Sequence, residues 1–374
     1  MTLDEAFTGL PDPRTGPAQR HDLREMILMA LCAVLCGADS WVDVAEWAED
    51  NESWLRRYLV LAHGTPSHDT FGRVFRVLDA TLFEQCFRNW IAGLVGVVDG
   101  VIALDGKTVC GSRDGENTAL HMVSAFATAS GLCLGQEGTR GKGNEIAAIK
   151  ALLDTLSLKD CIVTLDALGC QTEIAQKIVD RGGDYLLAVK DNQGQLAEAL
   201  RDFFTEADAG GFGALPVSRS EMVEKDHGRI ETRSAWWVSD LAWLDRPLRQ
   251  HWPKLAGVSM MERTREINGK TSSERAFYIG SKGITDAETF ARAARSHWGV
   301  ENRLHWVLDV TFREDDCRVR KGHAPQNLSA LRKFALSLLR QDTQYPKRSL
   351  HGRRKTADRI PDYRASLLGL APLG

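Results

Sequence analysis

Apolar residues recur along this chain with two periods, and the change between them divides it. From His21 to about Val95 the spacing is helical. Arg24 to Cys36 is almost wholly apolar and predicts a buried helix. Ser40, with Asp43 three positions on, predicts the cap of a second helix whose inner side is Trp41, Val42, Ala45 and Trp47. Trp54 to Leu61 predicts a third. Ser67 then caps Ser67 to Leu78, where Phe71, Val74, Phe75 and Leu78 share a face and Arg73 and Arg76 point elsewhere. Leu82 to Val95 closes the set. A short helix, a turn at Ala62 to Pro66 and a helix showing two arginines fit a helix-turn-helix reader. A plain helical bundle fits as well and is the simpler reading.

Gly100 marks the change of period. Val101 to Asp105 predicts a strand ending on a carboxylate, and His121 to Ala127 and Leu132 to Gln136 predict two more across a turn at Ser130 and Gly131. A helix at Glu145 to Leu156, a strand at Cys161 to Asp166, a helix at Thr172 to Val179 and a strand at Tyr185 to Lys190 follow. Three strands in a meander, then alternating helix and strand, is the order of the ribonuclease-H-like α/β fold. After a helix at Gln193 to Phe204, the stretch from Asp226 to Gly280 turns β-rich again. Thr285 and Glu288 predict a capping box for the helix containing Arg292 to Leu308, and Asn327 to Leu339 is a last clear helix. The expected organisation is an all-helical segment at 1–97, an α/β core at 98–340 with a β-rich insertion at about 206–284, and a basic, partly disordered tail at 341–374.

Composition changes this picture little. Of 374 residues, 43% are hydrophobic and 26% charged, as in ordinary globular proteins. The eight cysteines contain no CxxC pair, which argues against a zinc cluster or disulfide frame. The chain shows neither a basic-then-apolar leader nor a long apolar run, so it reads as cytoplasmic, without a membrane partner. Net charge is −3, yet the segment from Arg313 to Arg359 is densely basic, and a local basic surface binds phosphates whatever the net charge.

The candidate chemistry begins with Asp105 and Asp166. Each ends a buried strand, and rigidly held paired carboxylates suit hard divalent cations such as magnesium. A third acid is expected after the fifth strand, and Glu301 is the best placed. Its neighbours His297 and His305 share its helix face, but this is not a HExxH zinc pattern. Asp309, Glu314, Asp315 and Asp316 lie among arginines and read as ion pairs or a turn. Lys107 and Lys190 follow strands and are candidate phosphate contacts, as is Lys142, at a helix start with Glu145. Arg229, Glu231 and Arg233 alternate onto one strand face toward solvent or DNA, after His227 and Gly228. Trp298 and Trp306 read as core or stacking residues.

The motifs DPR, CGADSW, PSHDTFGRVFR, IALDGK, LGQ, NEIAAI, VTLDALGCQ, DYLLAVKDNQ, HGRIETR, HWGVENRLHWVLDVTFREDDCRVRKG and NLSALR stand in order from about Leu10 to Leu339. Together they resemble the H-repeat-associated transposases of bacterial insertion sequences, within the DDE superfamily. The resemblance implies a ribonuclease-H-like catalytic core, an N-terminal transposase-associated helical domain, and a DDE triad of Asp105, Asp166 and Glu301. It further implies two Mg2+ ions (Mn2+ substituting), double-stranded DNA as substrate at element ends and target, a homo-oligomer on DNA, and action at the nucleoid. Many superfamily members place a tyrosine, an arginine and a lysine around the glutamate; here those positions hold Ala294, His297 and Leu308. His297 then replaces the arginine, and Arg303 or Arg313 is left to supply the phosphate contact, with Arg318, Arg320 and Lys321 as further DNA contacts. An inactive DNA-binding remnant, or a nuclease of the same fold without strand transfer, is the alternative.

Overall fold

A computed structural model describes residues 3–95, 98, 100–115, 118–212, 216–226 and 229–373. Helices α1 (Leu3–Phe7), α2 (Leu23–Cys36), α3 (Trp41–Asp50), α4 (Glu52–Leu55), α5 (His68–Val77) and α6 (Ala80–Val95) come first. Ser40 caps α3 in a reciprocal capping box with Asp43, and Ser67 caps α5. The third helix is shorter than expected, because the chain leaves it after Leu55 and Leu61 takes a positive φ of 47°.

The described strands then form one nine-stranded sheet in the order β3-β2-β1-β4-β5-β9-β8-β7-β6. β1 (Gly100–Val109), β2 (Leu120–Ala127) and β3 (Leu132–Arg140) are an antiparallel meander. β4 (Cys161–Leu165) and β5 (Asp184–Val189) run parallel to β1, with α7 (Glu145–Leu153) and α8 (Thr172–Asp180) as crossovers. β1 does not end at Asp105. It continues to Val109, because Lys107, Thr108 and Val109 still pair with β2 after β4 has stopped.

After α9 (Gly194–Ala209) the insertion supplies β6 (Val217–Asp226), β7 (Arg229–Val238), a short α10 (Arg246–His251), β8 (Gly257–Ile267) and β9 (Lys270–Gly280). β9 pairs antiparallel with β5, so the insertion prolongs the central sheet. β6 lies where no strand was expected; its polar run SRSEMVEK carries no apolar alternation. On the β7 face expected to meet solvent or DNA, the charges are paired among themselves. Glu231 is buried there and ion-paired with Arg233, Arg263 and Arg265.

α11 (Ala287–Val300) is capped by Asp286, whose carboxylate accepts from the Thr289 N–H, so the Thr285–Glu288 box does not form. A π-turn at Glu301–His305 leads into α12 (Trp306–Val310), then α13 (Ala324–Gln341), α14 (Leu350–Arg359) and α15 (Pro361–Leu368). The segment read as a loose tail is therefore folded. Arg354 donates to the Val34 carbonyl and Arg364 to the Asn51 side chain, both from buried positions. Arg332 and Lys333 are buried as well, so much of the basic run serves the interior and not a phosphate-binding surface. One hydrophobic core runs from Ala6 to Leu368, joining the N-terminal helices to the sheet through α13. No single described helix is long and apolar enough to cross a membrane.

Candidate metal centre

The parallel register of β1 and β4 aligns Ala103 with Thr164. Two residues further along each segment stand Asp105, still within β1, and Asp166, the first residue after β4, which are therefore nearly level at the point where the ladder ends. α11 crosses this end of the sheet, and Glu301 follows its last residue as the first of the π-turn. Asp105, Asp166, Glu301 and His297 line one cleft of about 540 Å³, with Lys190, Arg201, Arg263 and Trp298 on its walls. The structure thus brings the three expected acids together.

The donor geometry is tightest around Asp105. Ligand atoms of Asp105, Glu301 and His305 all lie within 4.8 Å of one another. His305 Nδ1 stands 3.3 Å from Asp105 Oδ2. Asp166 is turned slightly aside, its Oδ1 accepting from the Gly169 N–H at 3.2 Å. Asp166 therefore caps the turn that follows it as well as lining the shared cleft.

Asp105 is pushed up to about 7, first by burial, then by the charges of Glu301 and Asp166. No cationic side chain neutralises it at contact distance among the described residues. Three carboxylates sharing one cleft repel one another, and an oxygen-rich set with one imidazole is a fitting host for a divalent cation. His305 is buried, and desolvation, followed by the Lys333 charge, drives it down to about 3, so the ring is neutral. Its Nε2 has no hydrogen-bond partner among the described residues. His297 is held by Thr164 Oγ1 at 3.0 Å from Nδ1, and burial lowers its pKa.

A second pair supports β1 from behind. His121 Nε2 lies 2.8 Å from Glu145 Oε2, and His121 Nδ1 lies 3.0 Å from Thr108 Oγ1. Both side chains press on Gly106, where an added Cβ would stand 2.4 Å from each. Glycine beside Asp105 is thus a packing requirement. Glu145, expected at a helix start, spends its charge here.

The cationic candidates divide. Lys107 does not face the cleft. Its ammonium lies 2.7 Å from Asp309 and Asp315 and 3.5 Å from buried Glu314. Burial alone would lower its pKa, but the Glu314 charge and the two hydrogen-bonded aspartates raise it overall. Asp309, Glu314 and Asp315 thus form the expected ion pairs. Arg303 donates to the Thr128 carbonyl at 2.6 Å, and Arg313 pairs with Asp316 at 3.1 Å. Lys190 is exposed on the cleft wall. Arg318, Arg320 and Lys321 do not line this cleft. The side chains of Lys142 and Arg229, like residues 227–228, lie outside the described residues.

Two contributors were missed by sequence reasoning. His305 was seen only as part of a histidine face, although its spacing of four from Glu301 was the available signal. Arg263, on β8, packs over Trp298 at 5.3 Å from the ring centre, and nothing local in the sequence marks it. Trp298 and Trp306 are 50% and 59% exposed, so neither is a core residue.

Comparisons with known proteins agree in direction. The family model described as Transposase DDE domain matches residues 70–338, and the one described as DDE_Tnp_1-associated matches residues 5–91. The "H repeat-associated putative transposase YhhI" of Escherichia coli is 37% identical over 374 residues, covering 98% of this chain and 97% of its own. An "Uncharacterized protein in dhlA 3'region" of Xanthobacter autotrophicus is 43% identical over 280 residues, 74% of this chain and 92% of its own. The "Inactive transposase YbfQ" of Escherichia coli is 36% identical over 72 residues, only 19% of this chain and 86% of its own.

Proposed function

The chain belongs to the DDE transposase family, and on that premise we propose that it cuts and rejoins DNA strands at the ends of an insertion sequence. The observation that carries this reading is the convergence of Asp105, Asp166 and Glu301 in one cleft, with like charge pushing Asp105 up to about 7. The β3-β2-β1-β4-β5 order supports a ribonuclease-H-like core.

In this reading Asp105, Asp166 and Glu301 would hold two Mg2+ ions in the cleft they line. When bound, these cations supply Lewis-acid activation of the attacking oxygen and neutralise charge on the leaving one. His305 packs against Asp105 and fixes how its carboxylate is presented. The His121–Glu145 pair holds the β1 backbone beneath it. Lys190, on the cleft wall, takes the phosphate contact left open by Leu308.

The reaction has two steps. Water attacks the phosphorus at the element end, a new P–O bond forms, and the bond to the 3′ oxygen breaks, freeing a 3′ hydroxyl. That hydroxyl then attacks a target phosphodiester, forming one P–O3′ bond and releasing the target's own 3′ oxygen. No bond to the protein forms at any point. The protein's contribution is alignment and charge placement.

The test is incubation of purified protein with its element's terminal DNA, a target plasmid and Mg2+ or Mn2+. Nicked ends and joined products are expected. Nicked ends alone would identify a nuclease, and neither product, with binding retained, an inactive remnant.

A further inference from the structure

A second cleft, of about 720 Å³, lies away from the acids. Arg76 from the last turn of α5, Arg140 at the end of β3, and Arg320, Lys321 and His323 from the loop before α13 line it, with Asp114. These cations come from three segments far apart in sequence. Arg76, Arg140, Arg320 and Lys321 form no ion pair among the described residues.

The convergence is built by several fixed contacts. The His323 N–H donates to the Arg76 carbonyl at 3.1 Å. Fully buried Asn327 donates from Nδ2 to the carbonyls of Phe75 and Leu78, both at 2.9 Å. Gly322 has φ +57°, and a Cβ there would lie 2.5 Å from the Arg76 carbonyl oxygen, so only glycine lets the loop approach. Arg320 Nε donates to the Gly111 carbonyl at 3.0 Å. Cations often gather at a helix C-terminus to complement its carbonyls. Here Asn327 and His323 already occupy the carbonyls of Phe75, Arg76 and Leu78; Arg140 and Arg320 each give one donor to a backbone carbonyl, of Thr118 and Gly111, and keep the rest of the guanidinium for a ligand. Holding four cations together costs repulsion that a polyanion would relieve.

We propose that this cleft grips the phosphate backbone of duplex DNA running on from the catalytic cleft, an inference that rests on the DNA-transferase reading above. Gly111 lies six residues beyond Asp105. At roughly 3.3 Å per residue the two are at most about 20 Å apart. At about 3.4 Å per nucleotide, the Arg320 end of this cleft, anchored on Gly111, starts within roughly six nucleotides of Asp105. The loop after α12 and the N-terminal helix α5 would thus read one stretch of backbone together.

Anisotropy titrations of the full chain with an end-sequence duplex test this. The Arg76→Gln/Arg140→Gln/Lys321→Gln variant should bind at least about tenfold more weakly at moderate salt, with a log–log salt slope shallower by about three. Its circular dichroism and melting should match the wild type. Methylphosphonate substitution starting within about six nucleotides of the cut should weaken wild-type binding and leave the triple variant's unchanged. Wild-type affinity and slope in the triple variant, or an interference pattern confined elsewhere, would overturn the proposal alone. Failure of the wild type to bind any duplex at low salt would overturn the DNA-transferase reading and this cleft with it.

Discussion

Two acid-rich clusters sit two residues apart on β1, and their electrostatics are opposite. Around Asp105 the carboxylates face one another across an open cleft, and burial with the charges of Glu301 and Asp166 raises Asp105 to about 7. Around Lys107 the acids Asp309, Glu314 and Asp315 surround an ammonium, and Glu314, although buried, has its pKa lowered by Lys333, Arg332 and Lys107. Alternation along the strand sends the neighbouring odd positions to the same face, so direction alone does not separate them. What separates them is the counter-charge. Acids that meet a cation within the chain hold the fold; the Asp105 set meets none at contact distance among the described residues, and in the proposed reading it is the metal site.

The largest effect expected from this contrast is on chemistry. Asp105→Asn should lower end cleavage by at least about 10³-fold, the scale of several kcal/mol of lost charge stabilisation. Because it also relieves repulsion, its melting temperature should equal or exceed the wild type's. A D105N protein that cleaves normally would break the comparison. Next comes Lys107→Met, which leaves buried Glu314 short of a partner and should cost about 3 kcal/mol in denaturant unfolding. An unchanged midpoint would show that the Lys107 cluster is not structural.

A smaller effect sharpens the role of burial by itself. Glu84 is fully buried, accepts from the Gln136 N–H at 2.8 Å, and is pushed up from 4.5 to about 8, chiefly by desolvation. A raised carboxyl pKa gives stability that is complete below 4.5 and is lost as pH rises through 8. Glu84→Gln should therefore match the wild type near pH 4.5 and become more stable than it by up to a few kcal/mol above pH 8. Melting curves at the two pH values check this; an equal gap at both would contradict it.

Much of this was legible in the sequence. The period change at Gly100 and the meander-then-crossover order give the five-strand core, and strand-end placement picks out Asp166. The extension of β1 was not legible, because Lys107 and Thr108 are polar residues satisfied by Asp315 and His121 from elsewhere in the chain. The fate of the basic run was hidden for the same reason. Arg354 and Arg364 look like surface charge until the N-terminal helices supply Val34 and Asn51 as acceptors more than 300 residues away. β6 was missed because its polar run has no buried face to write a period of two.

The most direct measurement is Mn2+ binding by calorimetry on the wild type, Asp105→Asn and Asp315→Asn. The contrast between the clusters predicts that the wild type and D315N bind the ion and that D105N has lost most of its affinity. Equal binding by all three, or loss in D315N alone, would contradict it.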